Sequence, residues 1–350
     1  MHREIRISRN AVVYGDRIAM GCSLCFSGAK AVIFVTGLCR EDCYYCPISN
    51  ARKGKDVFYV NEREVRSMVE MVAEVERSGA SSASITGGDP LERLDRTLAV
   101  IETLKKNFGQ SFHIHLYTNG LLARNEVLAS LERAGLDEIR FHPTRRDTWK
   151  RIEMAKELTG MSVGAEIPAI PNTEEDILSL AEFLDKIGAN FLNLNELEIS
   201  ESNFPFLQLK GFTASIDGRA VRGSAETALK VMKMAKELGL RIPIHFCPSV
   251  FKDEIQTKNR FLMTMKSDLK VFEKPTKDGT VLFGIIEGYD EGVAGRYLEE
   301  GILFPCRNDK LCFHPDDLNL IIRLGIGRRI ELVESHPTVE RFVINSERIL

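Results

Sequence analysis

Eight cysteines stand at positions 22, 25, 39, 43, 46, 247, 306 and 312, and the first five crowd into one short N-terminal stretch. The densest run reads Gly37-Leu38-Cys39-Arg40-Glu41-Asp42-Cys43-Tyr44-Tyr45-Cys46-Pro47. Three thiolates at this spacing in a loop can wrap one corner of a cubane iron–sulfur cluster. Three ligands to four irons leave one iron open, and an open position marks a reactive rather than a structural site. Structural zinc usually takes four ligands in two CxxC-like pairs, so the triplet is a poor zinc signature. A disulfide framework would require an oxidising compartment, and a chain of 350 residues does not need stapling. The clustered thiols therefore point to metal binding or catalysis.

The other cysteines extend that chemistry. Cys22 and Cys25 form a CxxC upstream of the triplet, and Cys306 and Cys312 form a looser pair near the C-terminus. The two pairs could build a second, four-thiolate site, zinc or an auxiliary iron–sulfur cluster, tying the N-terminal extension to a C-terminal appendage. Cys247 is open to three roles: a ligand of an auxiliary cluster with Cys22 and Cys25, a thiol that anchors substrate, or a small buried hydrophobe.

These residues need a scaffold, and the middle of the chain supplies one rhythm: apolar strand, loop, amphipathic helix, glycine, next strand. Asn61 with Glu64 three residues on predicts a capped helix start, followed by the stripe Val65, Met68, Val72 and Val75. Leu94, Leu98, Ile101, Leu104 and Phe108 form the next stripe, and Gly79, Gly109, Gly135, Gly160, Gly188 and Gly239 stand where helices should stop. Asn172 and Ser224 are candidate N-caps. Strands are expected at 31–36, 82–86, 112–117, 138–142, 161–167, 190–195 and 241–247. This alternation implies a parallel sheet with right-handed crossovers, closed as an incomplete barrel. The expected organisation is an extension at 1–30, a partial (β/α) barrel at 31–268 with an irregular insertion at 198–223, and a small α/β appendage at 269–350.

Period-two alternation says which way the strands face. Ile114 and Leu116 oppose His113, His115 and Tyr117; Ile139 and Phe141 oppose Arg140 and His142. Val163, Ala165 and Ile167 oppose Glu166; Leu192 and Leu194 oppose Asn193 and Asn195; Ile244 and Phe246 oppose His245 and Cys247. Helices claim the apolar face, so the polar face must line the barrel. Leaving so many buried polar groups unpaired would cost several kcal/mol each, and a wet or ligand-filled lumen is the better account. Arg140 could hold a substrate carboxylate or phosphate through its planar fork. His113, His115 and His245 could ligate a second metal or hydrogen-bond substrate.

Composition narrows the function classes. At 44% hydrophobic with net charge −3, the chain is neither disordered nor a strongly basic nucleic-acid binder. The basic clusters at 145–151 and 323–329 read as solvated faces; nothing supports nucleic-acid binding, although acidity alone leaves RNA open. The longest apolar runs, such as Ala31–Thr36, fall far short of the ~20 residues of a membrane span. Residues 1–10 lack the apolar core of a signal peptide. The chain reads as soluble and cytoplasmic.

The loop Cys39-x3-Cys43-x2-Cys46 after the first barrel strand resembles the hallmark of the radical S-adenosylmethionine (radical SAM) superfamily. The resemblance spans roughly residues 31–250. It implies that Cys39, Cys43 and Cys46 hold a [4Fe–4S] cluster whose open iron is chelated by SAM, with Tyr45 against the adenine. Thr86-Gly87-Gly88-Asp89-Pro90 resembles the GGE-type motif that meets the SAM amino group, with Asp89 in place of the commoner Glu. Thr118-Asn119-Gly120 resembles the family's TNG turn, and Glu166 lies on a strand that often supplies a SAM contact. The implied activity is reductive cleavage of SAM to methionine and a 5′-deoxyadenosyl radical that abstracts hydrogen from an unknown substrate, fed by an electron donor such as ferredoxin or flavodoxin. Glu166, Arg140, His245 and Cys247 are the candidate catalytic residues. Within the superfamily the chain looks most like proteins related to pyruvate formate-lyase activating enzymes. A glycyl-radical activase acting on a protein, a tRNA-modifying enzyme and a non-catalytic iron–sulfur or zinc protein are the alternatives.

Overall fold

The computed structural model describes residues 4–8 and 11–350. The absence of a leader, read from residues 1–10, falls partly outside them. Two compact units are present: residues to Glu76 with Ala80–Thr257, and Arg77–Gly79 with Lys258–Leu350.

In chain order the first unit begins with β1 (Ile5–Ser8), β2 (Ala11–Tyr14), the short helix α1 (Met20–Phe26), β3 (Lys30–Phe34), β4 (Tyr59–Val60) and β5 (Arg63–Glu64). Strand and helix then alternate: α2 (Met68–Arg77), β6 (Ser82–Thr86), α3 (Leu94–Phe108), β7 (His113–Thr118), α4 (Asn125–Ala134), β8 (Glu138–Phe141), α5 (Trp149–Leu158), β9 (Ser162–Ala169), α6 (Glu174–Lys186) and β10 (Phe191–Glu196). After α7 (Phe204–Leu209) and α8 (Ser224–Glu237) comes β11 (Ile244–Cys247), followed by a tight turn of helix, α9 (Ser249–Phe251), and a π-helical stretch, Lys252–Thr257.

Seven strands, in the order β3-β6-β7-β8-β9-β10-β11, run parallel, the partial barrel the sequence predicts. Antiparallel hairpins cover both edges, β1-β2 against β11 and β4-β5 against β3, so neither outer parallel strand is left bare. One apolar core runs between the strands' outward faces and the helices, with Ile33, Ile85, Leu116, Ile139, Val163 and Leu194 all fully buried.

Three details of the expected grammar differ. Asn61 opens no helix: it sits at positive φ in the turn of the β4-β5 hairpin. There its amide accepts from the Val32 N–H and donates to Glu74, so its left-handed tolerance and its side chain are both used. Asn172 also has positive φ and precedes the capping residue Thr173. Ser224 is already helical and stitches the insertion down, donating to the Ala169 carbonyl and accepting from the Leu197 N–H.

The second unit holds α10 (Lys258–Asp268), β12 (Lys274–Pro275), β13 (Val281–Glu287), α11 (Glu291–Glu299), β14 (Leu303–Pro305), β15 (Leu311–Phe313), α12 (Leu318–Leu324), β16 (Arg329–Ser335) and β17 (Val343–Arg348). Its strands form an antiparallel sheet in the order β14-β15-β13-β16-β17, with β12 also on β13. Here one expectation is corrected. Cys306 and Cys312 are disulfide-bonded to each other, packed with Met265, Phe283 and Val333, so neither has a thiolate to offer a metal. The four-thiolate site built with Cys22 and Cys25 falls with them. Among the described residues no helix is long and apolar enough to cross a membrane.

Candidate active site

The cysteine loop leaves β3 and is pinned by backbone at both ends. Gly37 N–H donates to the Lys55 carbonyl at 2.8 Å, and Gly54 N–H returns to the Gly37 carbonyl at 2.8 Å. Gly88 and Asp89 N–H groups, from the end of β6, donate to the Thr36 and Leu38 carbonyls at 2.7 Å each. Glycine is needed because the two chains touch: a Cβ at Gly87 would strike the Thr36 carbonyl oxygen, and one at Gly88 the Leu38 carbonyl oxygen. Asp56 braces the loop from behind, ion-paired to Arg93 and Arg96 and accepting from Thr36; Arg93 first among these holds its carboxyl well below the usual range.

A cavity of about 300 Å³ opens there at the carboxyl ends of the strands, the usual place for barrel active sites. Cys39, Cys43 and Cys46 line it together with Tyr45, Gly87, Gly88, Pro90, Thr118 and Asn119. Cys39 Sγ accepts from the Glu41 N–H at 3.4 Å and from Asn119 Nδ2 at 3.6 Å, donors suited to a metal-bound thiolate. Burial pushes the Cys39 thiol up, and the Cys43 thiol to about 11. A metal ligand must lose that proton, so binding releases it.

Asp89 is held by the turns around it. It is 1% exposed and stands behind the cavity wall. Its oxygens accept from Leu91 N–H at 2.9 Å, Thr118 Oγ1 at 3.0 Å and Asn119 N–H at 3.0 Å, and burial raises its pKa to about 6. It ties the β6 turn to the β7 turn and so positions Thr118 and Asn119.

Below the mouth lies a second chamber of about 260 Å³, sharing Thr86, Tyr117, Asn195 and Lys252 with the first. Strand register builds it. Tyr117 stands beside Arg140, Glu166 beside Asn193, Asn193 beside His245 and Asn195 beside Cys247. Arg140 is 2% exposed and locked between two carboxylates, with Nε to Glu138 Oε1 at 2.6 Å and Nη1 to Glu166 Oε2 at 2.6 Å. Glu166 also accepts from Asn193 and Asn195 at 2.9 Å each. Burial alone would raise the Glu166 pKa; Arg140 and the two amides outweigh it and bring it to about 2. Arg140 is therefore not free to hold a substrate anion.

Helix α1 closes this chamber. Gly21 lies so near the floor that a Cβ would sit 2.5 Å from Arg140 Nη2 and from His115 Nδ1. Cys22, Cys25, His245 and Cys247 all line the chamber. Burial pushes the Cys22 thiol to about 11 and the Cys247 thiol to about 12, and lowers His245 to about 4. His113 and His115 do not line it; His115 is fully buried and stacks edge-on with Tyr117. Among the described residues no three His, Cys, Asp or Glu side chains converge as the shell of a single metal ion.

Several site residues are not singled out as functional by the sequence reading, although alternation places His142 on the lumen face. His142 bridges Tyr45 and the Glu166 carbonyl, and Glu196, Glu198 and Lys252 line the mouth, with Lys252 ion-paired to Glu198. The role of His142 could have been found, because the sequence reading already sets it beside Arg140 in the lumen. Lys252 carries no periodic signal, lying in the π-helical stretch after β11.

The chain is similar to several known proteins. The radical SAM superfamily model matches residues 33–184. A Methanocaldococcus jannaschii protein, provisionally named a glycyl-radical enzyme activating enzyme, is 39% identical over 95% of this chain and 93% of its own length. A Thermococcus kodakarensis protein, provisionally named GTP 3′,8-cyclase, is 26% identical over 47% of this chain and 56% of its own. Among solved structures, Streptococcus suis SuiB bound to SAM matches with a TM-score of 0.46 at 12% identity, over 66% of this chain and 56% of that one. The chain belongs to the radical SAM superfamily. It is an enzyme of that class, in which a bound [4Fe–4S] cluster supplies the electron that splits SAM into methionine and a 5′-deoxyadenosyl radical for hydrogen abstraction.

Proposed function

We propose that Cys39, Cys43 and Cys46 hold the cluster, and that Tyr45, Gly87, Gly88, Pro90, Thr118 and Asn119 form the SAM cleft. One observation carries this reading: the three thiols and two glycine-carved strand ends open on one cavity. The glycines let backbone approach the ligand, and Asp89 holds Thr118 and Asn119 at its edge. The substrate enters between this cleft and the chamber below, where Tyr117, Asn195 and Lys252 face both spaces. Walls of paired side chains exclude water from a reactive radical. Cys39 is exposed, which suits electron entry from an external donor such as ferredoxin or flavodoxin.

Anaerobically reconstituted protein, reduced with dithionite and given SAM, should release 5′-deoxyadenosine, and Cys43→Ala should abolish the release. Wild type that binds a full cluster yet forms none would refute the assignment. The relative's name favours a second, narrower reading, in which the hydrogen comes from a glycine of a partner protein. It requires a stable glycyl radical, seen by electron paramagnetic resonance, on a co-incubated glycyl-radical enzyme.

A further inference from the structure

The deep chamber carries chemistry that SAM cleavage at the mouth does not use. Three thiols face it from two elements: Cys22 and Cys25 from one side of α1, and Cys247 from the lumen face of β11. Beside Cys247 on that face stands His245, 3% exposed, with neither ring nitrogen hydrogen-bonded. A buried imidazole with both nitrogens unpaired is costly unless a ligand takes one of them.

The surroundings of the sulfurs are equally specific. Cys22 Sγ accepts from Arg140 Nη1 at 3.4 Å and from Asn193 Nδ2 at 3.3 Å, and Cys247 Sγ from Gln256 Nε2 at 3.8 Å. A neutral thiol is a weak acceptor and needs no such donors, whereas N–H groups aimed at sulfur are how proteins hold and tune cluster thiolates. Arg140 and Lys252 border the same space, each already ion-paired, Arg140 to Glu138 and Glu166 and Lys252 to Glu198.

Size decides what kind of group fits. Two thiolates on one zinc lie no more than about 4.6 Å apart, twice the Zn–S length. Here the thiols ring a chamber of about 260 Å³ and do not converge as a single-ion shell. A cubane spreads its thiolates over separate irons, so its ligands need not converge as a single-ion shell.

We propose that Cys22, Cys25 and Cys247 hold a second iron–sulfur cluster in the barrel lumen, with His245 as the fourth ligand. Each thiol gives up its proton to solvent as it takes an iron. The cluster would lie beneath the cavity at the mouth, positioned to meet a bound substrate.

The assignment is separable from that of the SAM cluster. In the Cys39→Ala/Cys43→Ala/Cys46→Ala variant, anaerobic reconstitution should still leave about four irons and four sulfides per chain. Adding Cys22→Ser and Cys25→Ser should bring iron to background. Iron at background in the first variant, zinc in its place, or iron that survives the second set would each overturn the proposal. Should the five-fold variant fail to fold, the wild type decides. About eight irons per chain, with Cys22, Cys25 and Cys247 shielded from alkylation until the metal is chelated, supports it. About four irons with these thiols freely alkylated refutes it.

Discussion

The mouth and the deep chamber of the barrel are built by opposite means. At the mouth the backbone makes the shape: glycines let the β3 and β6 ends touch, N–H groups close the loop, and the cysteines face open space. In the chamber side chains make the shape, and nearly every charge is answered by another. The mouth is made to receive a ligand's charge. The chamber has already neutralised its own, so what enters it must be recognised by thiol, imidazole and amide groups.

The sharpest way to break this contrast is to remove one charge from each region. Cys43→Ala removes a ligand, and the expected outcome is complete loss of 5′-deoxyadenosine with little change in folding. Arg140→Met removes the cation between Glu138 and Glu166, and we expect a loss of about 3–5 kcal/mol in stability, because one partner's removal strands buried carboxylates. Urea unfolding of apo-protein measures it. A loss below about 1 kcal/mol would mean that the lumen is wetter than its paired walls imply.

Acid should report the same pairing. The Glu166 pKa is depressed, from 4.5 to about 2. A depressed acid contributes stability that is fully present above pH 4.5 and is lost as the pH falls toward 2, here about 3 kcal/mol at 1.36 per unit. Glu166→Gln should be less stable at pH 7 and should show a flatter decline between pH 5 and 2. At the mouth, Gly88→Ala should cost about 1–3 kcal/mol through collision with the Leu38 carbonyl. It should also weaken SAM binding, measured by calorimetry.

How far the sequence reached follows from the same contrast. The mouth was legible because its chemistry is local: a cysteine triplet and a glycine pair at fixed offsets describe one loop and one turn. The chamber's orientation was legible from alternation, which placed Arg140, Glu166, His245 and Cys247 inside. Its pairings were not, because they depend on register between strands far apart in sequence; Arg140 read as an anion binder until Glu138 and Glu166 closed on it. The hydrogen bonds of Asp89 to Leu91, Thr118 and Asn119 were hidden for a related reason, since a motif gives a residue's type and place but not which way its carboxylate turns. Cys306 and Cys312 read as ligands because spacing alone does not separate a metal pair from a disulfide closing a hairpin turn.

Tyr45 and His142 join the two regions, and they set the finest test. The Glu166 carbonyl can only accept, so His142 Nδ1 must carry the hydrogen that reaches it at 3.0 Å. Burial lowers the His142 pKa, so the ring is neutral near pH 7, and Nε2 is left as an acceptor. The Tyr45 hydroxyl, 2.9 Å away, must then donate. The orientation runs in one direction, from the cysteine loop through the imidazole to the strand that carries Glu166. Tyr45→Phe deletes the donor and should cost about 1 kcal/mol. Because Tyr45 lines the mouth and His142 touches β9, the loss should appear in SAM affinity as well as in stability. His142→Asn should not restore it, since one short amide cannot span both partners. If Tyr45→Phe changed stability alone, the two regions would be coupled by packing only.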